Sequence, residues 1–150
     1  MSTVKHALTQ AIAALSKPNA DTPRLDAEVL LAHLLHQNRA WLAAHNDFLL
    51  PLEIEAQYKR FIRRRARREP VAYIIGQREF YGLTFHVSPQ TLIPRPETEL
   101  LVEEALRLLQ PGWRALDVGT GSGCIAITLA LRAPQITVFA SDISAGALDV

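Results

Sequence analysis

Asp117-Val118-Gly119-Thr120-Gly121-Ser122-Gly123 and Asp142 are the residues whose types and spacing can do binding chemistry in this chain. Three glycines at every second position let backbone approach a ligand closely, because glycine enters left-handed conformations at little steric cost. The run follows the largely apolar Trp113–Leu116 and precedes the apolar Cys124–Leu131. That order predicts a strand, a tight turn and a helix. Asp142 ends the β-prone stretch Thr137–Ser141, 19 residues after Gly123.

Three ligand classes use such turns. A phosphate-binding P-loop needs Gly-Lys-Ser/Thr after its glycines, whereas Cys124 follows Gly123 here. The dinucleotide fingerprint G-x-G-x-x-G/A would place its third glycine at position 124, one residue later than Gly123. The pattern present is acid-x-G-x-G-x-G. A carboxylate at Asp117 attracts a cationic ligand end and repels a pyrophosphate. S-adenosylmethionine carries a sulfonium and an amino group and no phosphate. A carboxylate at the tip of the second strand, Asp142, accepts from both ribose hydroxyls and suits NAD and S-adenosylmethionine alike. Asp117 and the early Gly123 favour S-adenosylmethionine.

These residues need a frame. Arg114–Val118 as strand, Ser122–Leu131 as helix and Thr137–Ser141 as strand make a β-α-β unit, the opening of a parallel sheet. Ser144 caps a further helix. Ahead of it, Pro96 suits the first turn of a helix running to Leu109, with Glu97 and Glu99 at its positive end. Val71–Ile75 reads as β-prone, and Arg78–Tyr81 with Leu83–Val87, parted by Gly82, reads as a hairpin. The first ~70 residues read as short helices: Thr3–Leu15, ended by Lys17-Pro18-Asn19; Pro23 to about His36, capped by Thr22; Arg39–Ala44, capped by Asn38; and Pro51–Arg68 with Leu52, Ile54, Tyr58, Phe61 and Ile62 as its apolar stripe.

The expected fold class is α/β: a small helical bundle (1–72), a β-hairpin linker (73–90) and the first β-α-β part of a Rossmann-like sheet (91–150). A doubly wound sheet needs about five strands, and this sequence supplies two. A chain truncated on its C-terminal side is therefore expected, with association or disorder after about Pro111. Residues 1–75 carry eleven Lys/Arg and seven Asp/Glu, and residues 76–150 five and eight, so the halves differ in sign of charge. No apolar stretch reaches the ~18–20 residues of a membrane span, the start lacks a signal-peptide core, and the single cysteine, Cys124, excludes a disulfide framework. A cytoplasmic location is the expectation.

The upstream segment narrows the reading. Arg78-Glu79-Phe80-Tyr81-Gly82, Val87-Ser88-Pro89 and Leu92-Ile93-Pro94-Arg95-Pro96-Glu97-Thr98-Glu99 resemble the protein-(glutamine-N5) methyltransferases of peptide-chain release factors, within the class I S-adenosylmethionine-dependent methyltransferases. So do Asp26–Leu31 and Glu69–Tyr73. The resemblance implies methyl transfer from S-adenosylmethionine to the side-chain amide nitrogen of the Gly-Gly-Gln glutamine of a release factor, the protein partner. It also implies a helical substrate-recognition domain. Asp117, Gly119, Thr120, Gly121, Ser122, Gly123 and Asp142 are the expected cofactor-binding residues. The family's catalytic Asn-Pro-Pro-Tyr motif does not occur in these 150 residues, so no catalytic residue is assigned and the isolated chain is expected to be inactive. Two other readings are a nucleic-acid adenine amino-methyltransferase and a non-catalytic module that binds a release factor.

Lys59–Arg68 holds seven cations in ten residues. It is either a solvated helix face or a docking surface for an acidic partner or for RNA; without aromatic platforms, sequence-specific nucleic-acid reading is not expected. Arg95, between two prolines, is a helix-entry device or part of a pocket wall. His33 and His36 lack further ligands at metal spacing, so no metal site is assigned. Cys124 is expected to pack in its helix's first turn.

Overall fold

The computed structural model describes residues 1–16 and 21–150. The expected helix stop at Lys17-Pro18-Asn19 lies outside them. The chain divides into two compact units, Met1–Ile75 and Gly76–Val150.

The first unit is helical: α1 Val4–Ser16, α2 Pro23–Leu35, α3 Arg39–Ala44, α4 Leu52–Ala66 and α5 Val71–Ile75. Val4, Ala7, Ala11 and Leu15 recur at helical spacing on α1 and are buried against Ala27, Leu30 and Leu31 of α2 and Tyr58 and Ile62 of α4. The Tyr58 hydroxyl donates to the Ala27 carbonyl at 3.0 Å, so the one buried phenol of this core is satisfied. The chain start is pinned by an antiparallel bridge between Thr3 and Leu49.

Local capping signals fare unevenly. The Asn38 side chain accepts the Trp41 amide at 2.8 Å and caps α3. Thr22 does not cap α2; its hydroxyl donates to Asp26 at 3.0 Å instead. Leu52, expected on the apolar stripe of α4, is exposed because it is the first residue of that helix.

Val71–Ile75 is helix rather than strand. Its β-branched composition favours a strand only weakly, and burial overrides that preference. Pro70 opens the turn, its carbonyl accepting the Tyr73 and Ile74 amides, and Ile74 is buried in the helical core. The Arg64 guanidinium donates to the Tyr73 and Ile74 carbonyls, both at 3.3 Å, and so satisfies the end of α5.

The second unit opens with a hairpin, β1 Gln77–Phe80 paired antiparallel with β2 Leu83–His86. Tyr81 and Gly82 between them both have positive φ, 53° and 74°, as a two-residue hairpin turn with right-handed strand twist requires. Tyr81 is held there from two sides. Its amide donates to Glu99 at 2.8 Å, and Arg132 donates to its carbonyl at 3.4 Å and lies 5.6 Å above its ring. The hairpin is part of this unit's core, since Phe80 and Phe85 are buried with Val102, Cys124 and Leu129.

α6 Thr98–Leu108 follows, then β3 Arg114–Val118, α7 Cys124–Arg132, β4 Thr137–Ser141 and α8 Ala145–Leu148. Pro96 sits before α6, in a turn where the Arg95 and Pro96 carbonyls accept the Thr98 and Glu99 amides. β3 and β4 pair in parallel, Arg114 with Thr137 through Val118 with Ser141. One face of this pair packs on α7, with Val138 against its core. The other face shows Leu116, Val118 and Phe139 to solvent. The architecture is α/β: a helical bundle, a hairpin, and the first β-α-β of a Rossmann-like sheet. No helix among the described residues is long and apolar enough to cross a membrane.

Candidate cofactor site

The glycine turn joins the carboxyl end of β3 to the start of α7. Gly119, Gly121 and Gly123 all have positive φ, 78°, 55° and 73°. Each is therefore in the region that L side chains avoid, which explains the alternate-residue spacing. Gly123 has a second constraint, because a Cβ there would lie 3.0 Å from Ile127 Cδ1.

The turn is fastened to the tip of β4. The Gly119 and Thr120 amides both donate to the Ser141 carbonyl, at 2.8 and 3.0 Å, and the Gly123 amide donates to the Thr120 carbonyl at 2.9 Å. The Gly121 amide donates to Asp142 Oδ2 at 2.8 Å. Four amides are thus committed within the chain. A phosphate cradle leaves such donors facing its anion. This turn offers open space along its glycines rather than a ring of free donors.

Two carboxylates flank that space. Asp117, half-buried near the end of β3, accepts the Thr120 hydroxyl at 2.7 Å. Thr120 is itself buried, so its hydroxyl fixes the carboxylate from beneath. Asp142, just past β4, accepts the Ser144 amide at 2.9 Å as well as that of Gly121. Those amide bonds, Ser144's first and then Gly121's, hold the Asp142 carboxyl below its ordinary range and keep it ionised. Both acids stand at carboxyl ends of neighbouring parallel strands, where ligands of open α/β sheets bind.

Ser122 Oγ is buried with no hydrogen-bond partner among the described residues. A buried polar atom in that state costs stability unless something else meets it. Cys124 is buried in the first turn of α7, and burial pushes its thiol up, away from the nucleophilic form.

All seven expected residues therefore meet in one strand–turn–helix and the next strand end. Two neighbours escaped the sequence reading. The Leu92 amide nitrogen lies 4.0 Å from where a Gly121 Cβ would stand, and the Gln90 carboxamide oxygen 3.0 Å from a Gly146 Cβ. The proline-punctuated stretch before α6 thus passes beside both the turn and α8. Arg95 itself is exposed. The only advance signal was the backbone rigidity that Pro89, Pro94 and Pro96 impose.

Known proteins match this sequence. Residues 6–76 match the PrmC N-terminal domain model. Over 150 residues the chain is 47% identical to a release factor glutamine methyltransferase of Koribacter versatilis, covering 99% of this chain and 54% of that protein. A protein of the same name from Bordetella pertussis is 49% identical over 130 residues, covering 85% and 48%, and one from Chlorobaculum tepidum is 47% identical over 150 residues, covering 95% and 51%. The chain spans about half the length of the curated relatives it matches, and along most of its own length it is similar in sequence to proteins named release factor glutamine methyltransferase.

Proposed function

We propose that this chain serves a methyltransferase that uses S-adenosylmethionine to methylate the side-chain amide nitrogen of the Gly-Gly-Gln glutamine in peptide-chain release factors. The observation that carries the reading is the acid–glycine turn–acid arrangement of Asp117, Gly119–Gly123 and Asp142, in a chain nearly half-identical along its length to proteins named release factor glutamine methyltransferase. In this reading residues 1–72 recognise substrate, 73–90 link, and 91–150 begin the cofactor domain.

The residues present fit the cofactor. S-adenosylmethionine supplies an electrophilic methyl group to a nucleophilic nitrogen. A carboxylate offers about four acceptor positions. Asp142 uses two on backbone amides, which leaves it rigid, charged and able to accept from a ribose diol. Asp117 uses one on Thr120, which leaves it able to meet a methionyl ammonium. Gly119, Gly121 and Gly123 leave room for close approach. An amide nitrogen is a poor nucleophile, so polarising acceptors must accompany this cradle. Asn-Pro-Pro-Tyr, which supplies them in the resemblance, does not occur in this chain; the chain alone binds cofactor weakly and transfers no methyl group.

Amide NMR titration tests the site. S-adenosylmethionine at millimolar concentration should shift Gly119–Gly123 and Asp142, while NAD and ATP should leave them unmoved. Equal shifts with NAD would overturn the cofactor assignment. Methyl transfer to a release factor by this chain alone would overturn the division of labour.

A further inference from the structure

Six of the seven cations of Lys59–Arg68 fall into two sets with different work. Arg64 is bound to both Glu69 carboxylate oxygens and to the end of α5. Arg65 donates to Asp26 at 2.7 Å and to the Glu69 carbonyl at 3.2 Å, and is largely buried. Lys59 pairs with Glu55 at 2.8 Å. Arg60, Arg63 and Arg67 differ. They are exposed, and no hydrogen bond or ion pair engages their side chains among the described residues. Their spacing of three and four puts them in one row along α4 and its C-terminal cap, Arg67.

Arg63, the middle residue of that row, borders a groove. Ala11 and Ala14 of α1, with Tyr58 and Ile62 of α4, give an apolar floor, and Arg63 stands at its rim with Ser2, Gln10 and the Lys59–Glu55 ion pair, around a volume of about 220 Å³. Small residues on α1 keep the groove open. An apolar floor beside the unpaired Arg63, with Arg60 and Arg67 continuing the same row, is complementary to an amphipathic segment with carboxylates along one edge. Nucleic acid fits less well, because no aromatic platform accompanies the arginines.

We propose that the α1/α4 groove and the Arg60–Arg63–Arg67 row form a docking surface for an acidic amphipathic segment of the protein substrate. The inference deepens the release-factor reading and rests on it for the identity of the partner. Arginines in such a row steer the encounter through long-range charge, and the groove supplies the short-range contact. The internally paired Arg64 and Arg65 take no part.

The test uses the whole chain, purified release factor, a designed Glu/Leu amphipathic helical peptide, and a 20-nucleotide RNA as probes. Two variants are compared with the parent: the triple reversal R60E/R63E/R67E, and Ala14→Trp, which fills the groove from an exposed position. Melting curves confirm that each is folded. The parent is expected to bind release factor, with at least tenfold loss and a flatter salt dependence in the triple variant, and a several-fold loss in Ala14→Trp. Release-factor binding that survives both substitutions within twofold overturns the surface and leaves the release-factor reading standing. Binding of the peptide but not the release factor, lost in both variants, upholds the surface and overturns that reading. Binding of neither, or of RNA alone, overturns the surface.

Discussion

The Gly121 amide donates to Asp142 across 2.8 Å and so ties the turn after β3 to the tip of β4. One carboxylate both builds the turn and stands at its mouth. Asp142→Ala should therefore loosen the turn and weaken cofactor binding together, by at least tenfold in affinity. A titration that finds affinity unchanged while the Gly121 amide shifts would separate the two roles.

The same carboxylate gives a pH dependence with a defined sign. Its native pKa lies below its ordinary value, so its contribution is fully present above the unfolded value of about 3.9. That contribution is lost as pH falls through the depressed native value. The melting-temperature gap between the parent and Asp142→Ala should be constant near neutral pH and close below about pH 4. A gap that widens on acidification would contradict this.

Gly123→Ala should destabilise the second unit by roughly 1–2 kcal/mol, because a non-glycine residue must hold a φ of 73° and its Cβ meets Ile127. Gly112→Ala has similar φ strain, but its Cβ meets no atom within 4 Å. Urea unfolding of both variants should show the larger loss for Gly123.

Arg65→Ala leaves Asp26 without its cation partner. The loss should be roughly 2–3 kcal/mol, below the ~3–5 of a fully buried pair because Arg65 is partly exposed. Arg67→Ala should stay within about 0.5 kcal/mol, as an exposed substitution. Denaturant curves of the two single variants check the division of the cationic run, since equal losses would contradict it.

What was legible in the sequence was local. Asn38 and Ser144 cap their helices three residues ahead, as their types predicted. The β-α-β order and the three left-handed glycines followed from apolar runs and glycine spacing. The illegible parts were set at a distance. Val71–Ile75 became helix through burial of Ile74 and donors from Arg64, neither of which its own composition shows. Arg65 finds Asp26 thirty-nine residues away, so the cationic run could not be sorted by inspection. Leu92 and Gln90 approach Gly121 and Gly146 only because the chain turns back, which no periodicity encodes.

The clamp on Tyr81 sets an order of events during synthesis. A two-stranded hairpin is marginal alone in water, and this one draws its support from Glu99 and from Arg132, 51 residues downstream of Tyr81. Strands made early must wait for a helix made late, and the separation carries a loop-closure cost that slows the step. On a translating ribosome the Gln77–His86 segment is therefore expected to stay unpaired until α7 has emerged. Pulse-labelled exchange on stalled chains should find the Tyr81 amide unprotected at residue 110 and protected once the full 150 residues are clear of the exit tunnel.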